Sequence, residues 1–167
     1  MKISMIGAGY VGLVSGVGLA SQGHEVVCVD VDPAKVEGIN AGEPPFYEPG
    51  LPELLAEQLR EGRFKAAVDL PSAVVESDAT FIAVGTPFDG QAIDLTYIRA
   101  AAEQVGAALR NKTGYHLDIV KSTVVPGTTD DVVLPILEKA SGRRAGAELG
   151  VAANPEFLSE GSAVVDF

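Results

Sequence analysis

Residues 2–30 read KISMIGAGYVGLVSGVGLASQGHEVVCVD, and the order of residue types within them decides the fold. Ile3 to Ile6 is a short apolar run suited to a strand. Gly7-Ala8-Gly9-Tyr10-Val11-Gly12 follows, spaced G-x-G-x-x-G. Val11 to Ser21 then has helical spacing and many small residues, and Glu25 to Asp30 is a β-branched run suited to a second, buried strand. A glycine turn that leaves a strand and opens a helix has three separate tasks. Gly7 allows the tight reversal, Gly9 lets the backbone approach a pyrophosphate, and Gly12 allows close helix–strand packing. The helix start adds free N–H groups and partial positive charge, which suit phosphate. Asp30 lies 18 residues beyond Gly12, at the end of the second strand. A carboxylate there accepts both ribose hydroxyls and repels a 2′-phosphate, so the pattern predicts NAD rather than NADP. Lys35, five residues on, reaches the same ribose. A turn used only for packing is the competing reading; strand, helix and acid in register argue against it.

The rest of the chain repeats the alternation. Helical patterns are expected over Pro33–Asn40 and Pro52–Arg60, on either side of a Pro/Gly-rich loop, residues 42–50. Ala79 to Val84 reads as a strand. Leu95, Ile98, Ala102, Val105 and Leu109 form one helix face, with Asp94 as the expected N-cap. His116 to Lys121 reads as a strand, Thr129 to Ala140 as a helix kinked at Pro135, and Leu149 to Ala153 as a last strand. Strands alternating with helices predict an α/β fold: a Rossmann-type doubly wound, mostly parallel sheet with helices on both faces, as one domain over residues 1–167. Ligands of such sheets bind at the carboxyl ends of the strands.

Composition narrows the function classes. With 167 residues, 47% hydrophobic and 21% charged, the chain can build a normal core. Its net charge of −11 argues against a nucleic-acid or anionic-membrane partner, yet leaves room for a local anion site. The single cysteine, Cys28, excludes an internal disulfide and a zinc-finger set, and no metal site is expected. It sits between Val27 and Val29 with no neighbouring His or Lys, which marks a core position rather than a nucleophile. No apolar run approaches the roughly 20 residues of a membrane span, and the start MKISMIGAGY is no secretory signal. A cytoplasmic protein is the expectation.

Three polar clusters end successive strands: Gly85-Thr86-Pro87, Lys121-Ser122-Thr123 and Asn154-Pro155-Glu156-Phe157-Leu158, with Glu160 close behind. Taken singly, each is an ordinary turn or cap. Together, facing a dinucleotide turn, they suggest a converging site. With GAGYVG (7–12), VDVDPAKV (29–36), FYEPGL (46–51), VGTPFDG (84–90), DLTYI (94–98), KSTVVPGTT (121–129) and NPEFLSEGSAVVDF (154–167), the chain resembles the nucleotide-sugar 6-dehydrogenase family over its whole length. The ending NPEFLSEGSAVVDF is similar to the UDP-glucose members, and STVVPGT is nearer to the GDP-mannose type.

The resemblance implies oxidation of a sugar C6 alcohol to a carboxylate in two NAD-dependent steps, through a thioester on a catalytic cysteine. It implies that Asp30 and Lys35 hold the adenosine ribose, that Tyr10 and Val11 lie along the pyrophosphate, and that Thr86 stands near the nicotinamide. Thr123, Glu156 and Glu160 match residues that position water and serve acid–base roles. At i, i+4 the two glutamates could face each other on a helix turn, with one holding only backbone N–H groups. Thr123 and Glu160 also border the cofactor, and the stretch Glu156, Phe157, Leu158 to Glu160 lines the nucleotide sugar. The expected substrate is UDP-glucose; GDP-mannose or another UDP-sugar is the alternative, and a stand-alone dinucleotide sensor is the non-enzymatic one. Family chains continue into a central helix, which builds a homodimer, and a second domain bearing the nucleophilic cysteine. The expectation is therefore an NAD-binding half that is inactive alone.

Overall fold

The computed structural model describes residues 1–167 as one six-stranded sheet. Strands β1 (Lys2–Ile6), β2 (Glu25–Val29), β3 (Phe64–Ala67), β4 (Ala79–Ile82), β5 (His116–Val120) and β6 (Leu149–Ala153) lie in the order β3-β2-β1-β4-β5-β6. All five pairings are parallel. The order reverses direction between β1 and β4, and a crevice opens there at the carboxyl ends. Helices α1 (Tyr10–Ser21), α2 (Pro33–Asn40), α3 (Leu51–Arg60), α4 (Leu70–Glu76), α5 (Thr96–Leu109), α6 (Leu134–Ser141) and the short α7 (Ala163–Asp166) complete the chain.

Parallel strands covered on both faces must be apolar on both sides, which is why EVVCV shows no clean alternation. Met5, Leu13, Cys28, Ile39, Leu55 and Phe64 fill the core on the α1 side. Ile6, Ile82, Ile98, Val105, Leu109 and Leu137 fill the core under α4, α5 and α6. Cys28 is buried, as its neighbours in the sequence imply. The small residues of α1 allow close approach: a Cβ on Gly16 would stand 3.2 Å from the Phe64 ring. No helix is long and apolar enough to cross a membrane.

The structure departs from the sequence-based reading in several places. β3 and α4 were not expected. β3 is a four-residue edge strand, and α4 is only seven residues long, although Asp69 caps it by accepting the Ser72 N–H at 3.1 Å. The expected Thr129–Ala140 helix opens as a π-helical turn, Thr129–Val133, before α6. Pro135 has no N–H to donate and its ring crowds the carbonyl four residues back, so the wider turn replaces a simple kink. α5 begins at Thr96 with Leu95 in the cap position. Asp94 stands one residue earlier and still accepts the Thr96 N–H at 2.8 Å. Glu156 and Glu160 do not share a helical turn, because residues 154–159 are extended or irregular and α7 starts only at Ala163.

One polar row crosses the α4–α6 face of the sheet. Ser4 is in register with Thr80, and Thr80 with Asp118. The Ser4 and Thr80 hydroxyls are 2.7 Å apart, Thr80 Oγ1 meets His116 Nε2 at 2.8 Å, and Ser77 Oγ joins Ser4 at 3.0 Å. Both Asp118 carboxylate oxygens lack a protein hydrogen-bond partner. Burial pushes the Asp118 carboxyl up to about 7, against the pull of Lys112 and Arg143. Burial, with the same two cations, pushes His116 down to about 4, although the nearby Asp78 charge pulls it the other way.

Between about pH 4 and 6.5 the folded pair thus keeps one proton on Asp118, and the unfolded pair keeps one on His116. The proton counts match, so the pair's contribution to stability is nearly flat across that window. Asp118→Asn leaves a histidine whose folded pKa is depressed. Stability should then fall as pH drops through that window, by up to roughly 1.4 kcal/mol per pH unit. His116→Asn leaves a carboxyl whose folded pKa is raised, and stability should instead fall as pH rises towards 7. Urea midpoints measured across the window check both signs; parallel profiles for the two variants would contradict the assignment.

Candidate functional site

The glycine turn sits at the carboxyl end of β1, at the switch point of the sheet. Gly7 adopts φ +106°, and a Cβ there would stand 2.6 Å from the Ala83 carbonyl oxygen. A Cβ on Gly12 would run into the Gly7 carbonyl oxygen. Both glycines are therefore required by the fold itself. Gly9 differs: a Cβ there meets nothing within 4 Å, and the residue is exposed. The space above Gly9, at the first N–H groups of α1, is where the turn can receive a phosphate.

Asp30 ends β2 beside this turn. Its carboxylate accepts the Ala8 N–H at 2.9 Å, the Asp32 N–H at 3.1 Å and the Lys35 ammonium at 2.9 Å. Burial pushes the carboxyl up, but the Lys35 ammonium and the two N–H groups outweigh it and hold Asp30 below its ordinary range. Asp30 is thus an ionised acceptor that also pins the turn at Ala8. A cleft of about 450 Å³ runs from Gly9 past Asp30 and Lys35 to Val31, Val68 and Tyr97. An open glycine turn with free N–H groups, an ionised carboxylate and a slot lined by Val31, Val68 and Tyr97 all border it, so the residues fit the phosphates, a ribose and a flat base of a dinucleotide.

The ends of β4, β5 and β6 form the other side of the crevice. Thr86 is half-buried, and its hydroxyl donates to the Thr123 carbonyl at 2.7 Å, which joins the first two polar clusters. Ser122 is structural: its hydroxyl donates to the Val84 carbonyl at 2.7 Å. The Thr123 residue itself is exposed. Lys121 is buried and donates to the Asn154 side-chain oxygen at 3.0 Å, joining the second cluster to the third. Burial lowers its ammonium pKa, while the charge of Glu156 opposes the shift. Glu156 is half-buried, and one carboxylate oxygen accepts the Leu158 N–H at 2.6 Å. Glu160 is exposed. Phe157 is 90% exposed, whereas Leu158 turns its side chain onto the α1-side core.

Tyr10 connects the two sides. Its phenol donates to Glu48 at 2.8 Å, and burial, that bond and the charges of Glu48, Glu160 and Glu156 raise it to about 12. Glu48 was not singled out from the sequence, although it lies in the quoted FYEPGL stretch; the Lys121–Asn154 contact was missed too. The only signal was a charged residue amid Pro, Gly and aromatics, or next to a strand end, and neither pattern says what the charge faces. Cys28 is closed to chemistry: burial, with the charge of Asp30 outweighing that of Lys35, lifts its thiol to about 12.

A model of the UDP-glucose/GDP-mannose dehydrogenase family, NAD binding domain, matches residues 1–167. The chain is 47% identical over 169 residues to a GDP-mannose 6-dehydrogenase of Azotobacter vinelandii, covering all of this chain and 38% of the relative. It is 49% identical over 170 residues to a UDP-glucose 6-dehydrogenase of Rhizobium meliloti, covering all of this chain and 37% of that protein. A ternary complex of GDP-mannose dehydrogenase from Pseudomonas aeruginosa superposes with a TM-score of 0.96 at 45% identity, over 99% of this chain and 38% of that one. The chain therefore spans well under half the length of these relatives.

Gly9 and Gly12 should separate in mutagenesis. Gly9→Val should abolish dinucleotide binding while shifting the melting temperature little, since the new side chain fills ligand space only. Gly12→Ala should cost about 1–3 kcal/mol or more of stability, because backbone must move to admit the methyl. Calorimetric titration and thermal melts check this; wild-type affinity in Gly9→Val would show that the open space is not the ligand's.

Proposed function

Starting from the fact that the chain belongs to the UDP-glucose/GDP-mannose dehydrogenase family and is its NAD-binding domain, we propose that it works as the cofactor half of a nucleotide-sugar 6-dehydrogenase that oxidises UDP-glucose to UDP-glucuronate. The observation that carries the reading is the crevice at the β1/β4 switch, with the open glycine turn and the Asp30 carboxylate on one side and three polar strand ends on the other. GDP-mannose is the second reading. It is favoured by the STVVPGT run and by the 47% identical Azotobacter relative named for that substrate.

NAD supplies the hydride acceptor for both oxidation steps. In this reading Gly9 and the Tyr10 and Val11 amides receive its pyrophosphate. Asp30 and Lys35 hold the adenosine ribose, and for the ribose hydroxyls to dock, the Lys35 ammonium shares Asp30 with them. Thr86, fixed on the Thr123 carbonyl, stands at the nicotinamide side. Thr123 with Glu156 and Glu160 holds and deprotonates water, and the backbone of Phe157 to Glu160 lies along the sugar nucleotide. The buried Lys121 ammonium places a positive charge beside Glu156 and fixes the strand end that carries it through Asn154. The nucleophilic thiol has to come from outside residues 1–167, because Cys28 is inside the sheet. A cytoplasmic location and, for the full-length enzyme, a homodimer accompany the same proposal.

Two outcomes test it. NAD should bind at least about tenfold more tightly than NADP, and Asp30→Ala should narrow that gap by removing charge-assisted bonds worth roughly 1.5–3 kcal/mol each; calorimetry giving equal affinities in the wild type would remove the ribose assignment. The 167-residue chain alone should bind NAD but produce no steady NADH from UDP-glucose or GDP-mannose. The full-length enzyme should turn over one of the two, and the one it uses identifies the substrate. Continuous NADH formation by residues 1–167 would end the division of labour proposed here.

A further inference from the structure

Glu48 lies outside the set of residues assigned above, yet it is 1% exposed and carries a carboxylate. Three hydrogens converge on it from two distant parts of the chain. The Tyr10 hydroxyl and the Gly161 N–H each donate to Oε2 at 2.8 Å, and the Ala163 N–H donates to Oε1 at 2.9 Å. Burial pushes the carboxyl up, but these donors, with the Val164 N–H, hold it below its ordinary range, so the buried group is an anion. The loop that presents it is anchored on the same helix start, since the Phe46 and Tyr10 rings lie 5.1 Å apart. A carboxylate is what this convergence requires, because an amide of the same shape would aim its own N–H hydrogens at N–H donors.

The two ends of this connection matter more than its strength. Tyr10 directly follows Gly9, the open position of the phosphate turn. Gly161 directly follows Glu160, the last residue of the stretch whose backbone lies along the nucleotide sugar in the reading above. Between those ends there is one side chain and one hydroxyl.

We propose that Glu48 is a positioning residue that ties the segment bearing Glu156 and Glu160 to the phosphate turn, so that NAD at the turn and the nucleotide sugar on the segment favour each other's binding through Tyr10, Glu48 and Gly161. The inference rests on the cofactor reading. Phosphate on the Tyr10 amide restrains the first turn of α1, which fixes the phenol, the Glu48 carboxylate and then the Gly161 and Ala163 amides. By linkage, a ligand that orders the segment tightens NAD by the same factor.

Hydrogen exchange of the full-length protein, with and without saturating NAD, tests this. In the wild type, NAD should slow exchange at Gly161 and Ala163 by about fivefold to tenfold, the scale of one net hydrogen bond. In Tyr10→Phe at its own saturating NAD, both amides should stay protected by Glu48, but their rates should no longer respond to NAD. In Glu48→Gln they should exchange as an open loop in either condition, with the β1 and β4 amides unaffected. An equal NAD response in wild type and Tyr10→Phe, or none in a wild type that binds NAD, overturns the proposal. A wild type that fails to bind NAD at all overturns the cofactor reading, and this inference with it.

Discussion

The contact between the first turn of α1 and the ends of β1 and β4 constrains everything else in the molecule. No side chain fits at Gly7 or Gly12, because each faces a carbonyl oxygen at closer than ordinary contact distance. That closeness sets the helix start directly over the strand ends, with its unpaired N–H groups aimed into the crevice. It also fixes the β1–β4 register as a functional quantity. Ile6 pairs with Ile82, so Gly7 comes to rest against Ala83. A slip of one residue would break the polar row between neighbouring strands and carry the turn away from its partner. Ser4, Thr80 and His116, hydrogen-bonded across three adjacent strands, oppose such a slip in a sheet otherwise built of interchangeable aliphatics.

Electrostatically the chain presents a puzzle that its geometry resolves. A protein of net charge −11 has to receive a doubly charged pyrophosphate. Most of that charge is spread over solvent-exposed carboxylates and screened within about 8–10 Å at ordinary ionic strength. The N–H groups at the start of α1 act at hydrogen-bond distance, where screening is weak. The acids nearest the crevice are largely engaged. Asp30 is bonded to Lys35, Ala8 and Asp32, Glu48 to Tyr10 and two amides, and Glu156 to Leu158. Their charge is spent on fixing backbone, and it is Glu160 that points to solvent.

The same engagement divides the site into rigid and adaptable parts. The cofactor side is built on strand ends and a helix start, and its carboxylate pins the turn it serves. The segment from Asn154 to Ser162 has no regular secondary structure and is held by a few point contacts: Lys121 on Asn154, Leu158 in the core, and Glu48 on Gly161 and Ala163. A segment held that way can be ordered by ligands at modest cost, whereas a strand cannot.

How far the sequence could be read followed the range of the interactions involved. Strand–turn–helix order, the parallel sheet, the close packing at Gly7 and Gly12, the position of Asp30 and Lys35 beside the turn, and the burial of Cys28 were all determined within short windows, because each depends on periodicity or on neighbours a few residues away. β3 and α4 were too short for periodicity to show, and the π-helical turn before Pro135 arises from a clash that the pattern registers only as a break. What only the tertiary structure decided joins residues far apart in the chain. Glu48 reaches Gly161 across 113 positions, Lys121 reaches Asn154 across 33, and Ser4, Thr80 and Asp118 share a row through strand register alone. A buried charge is identified by the groups that surround it, and around Glu48 these are brought together by the return of the chain from β6 to α1, which no local stretch of sequence contains.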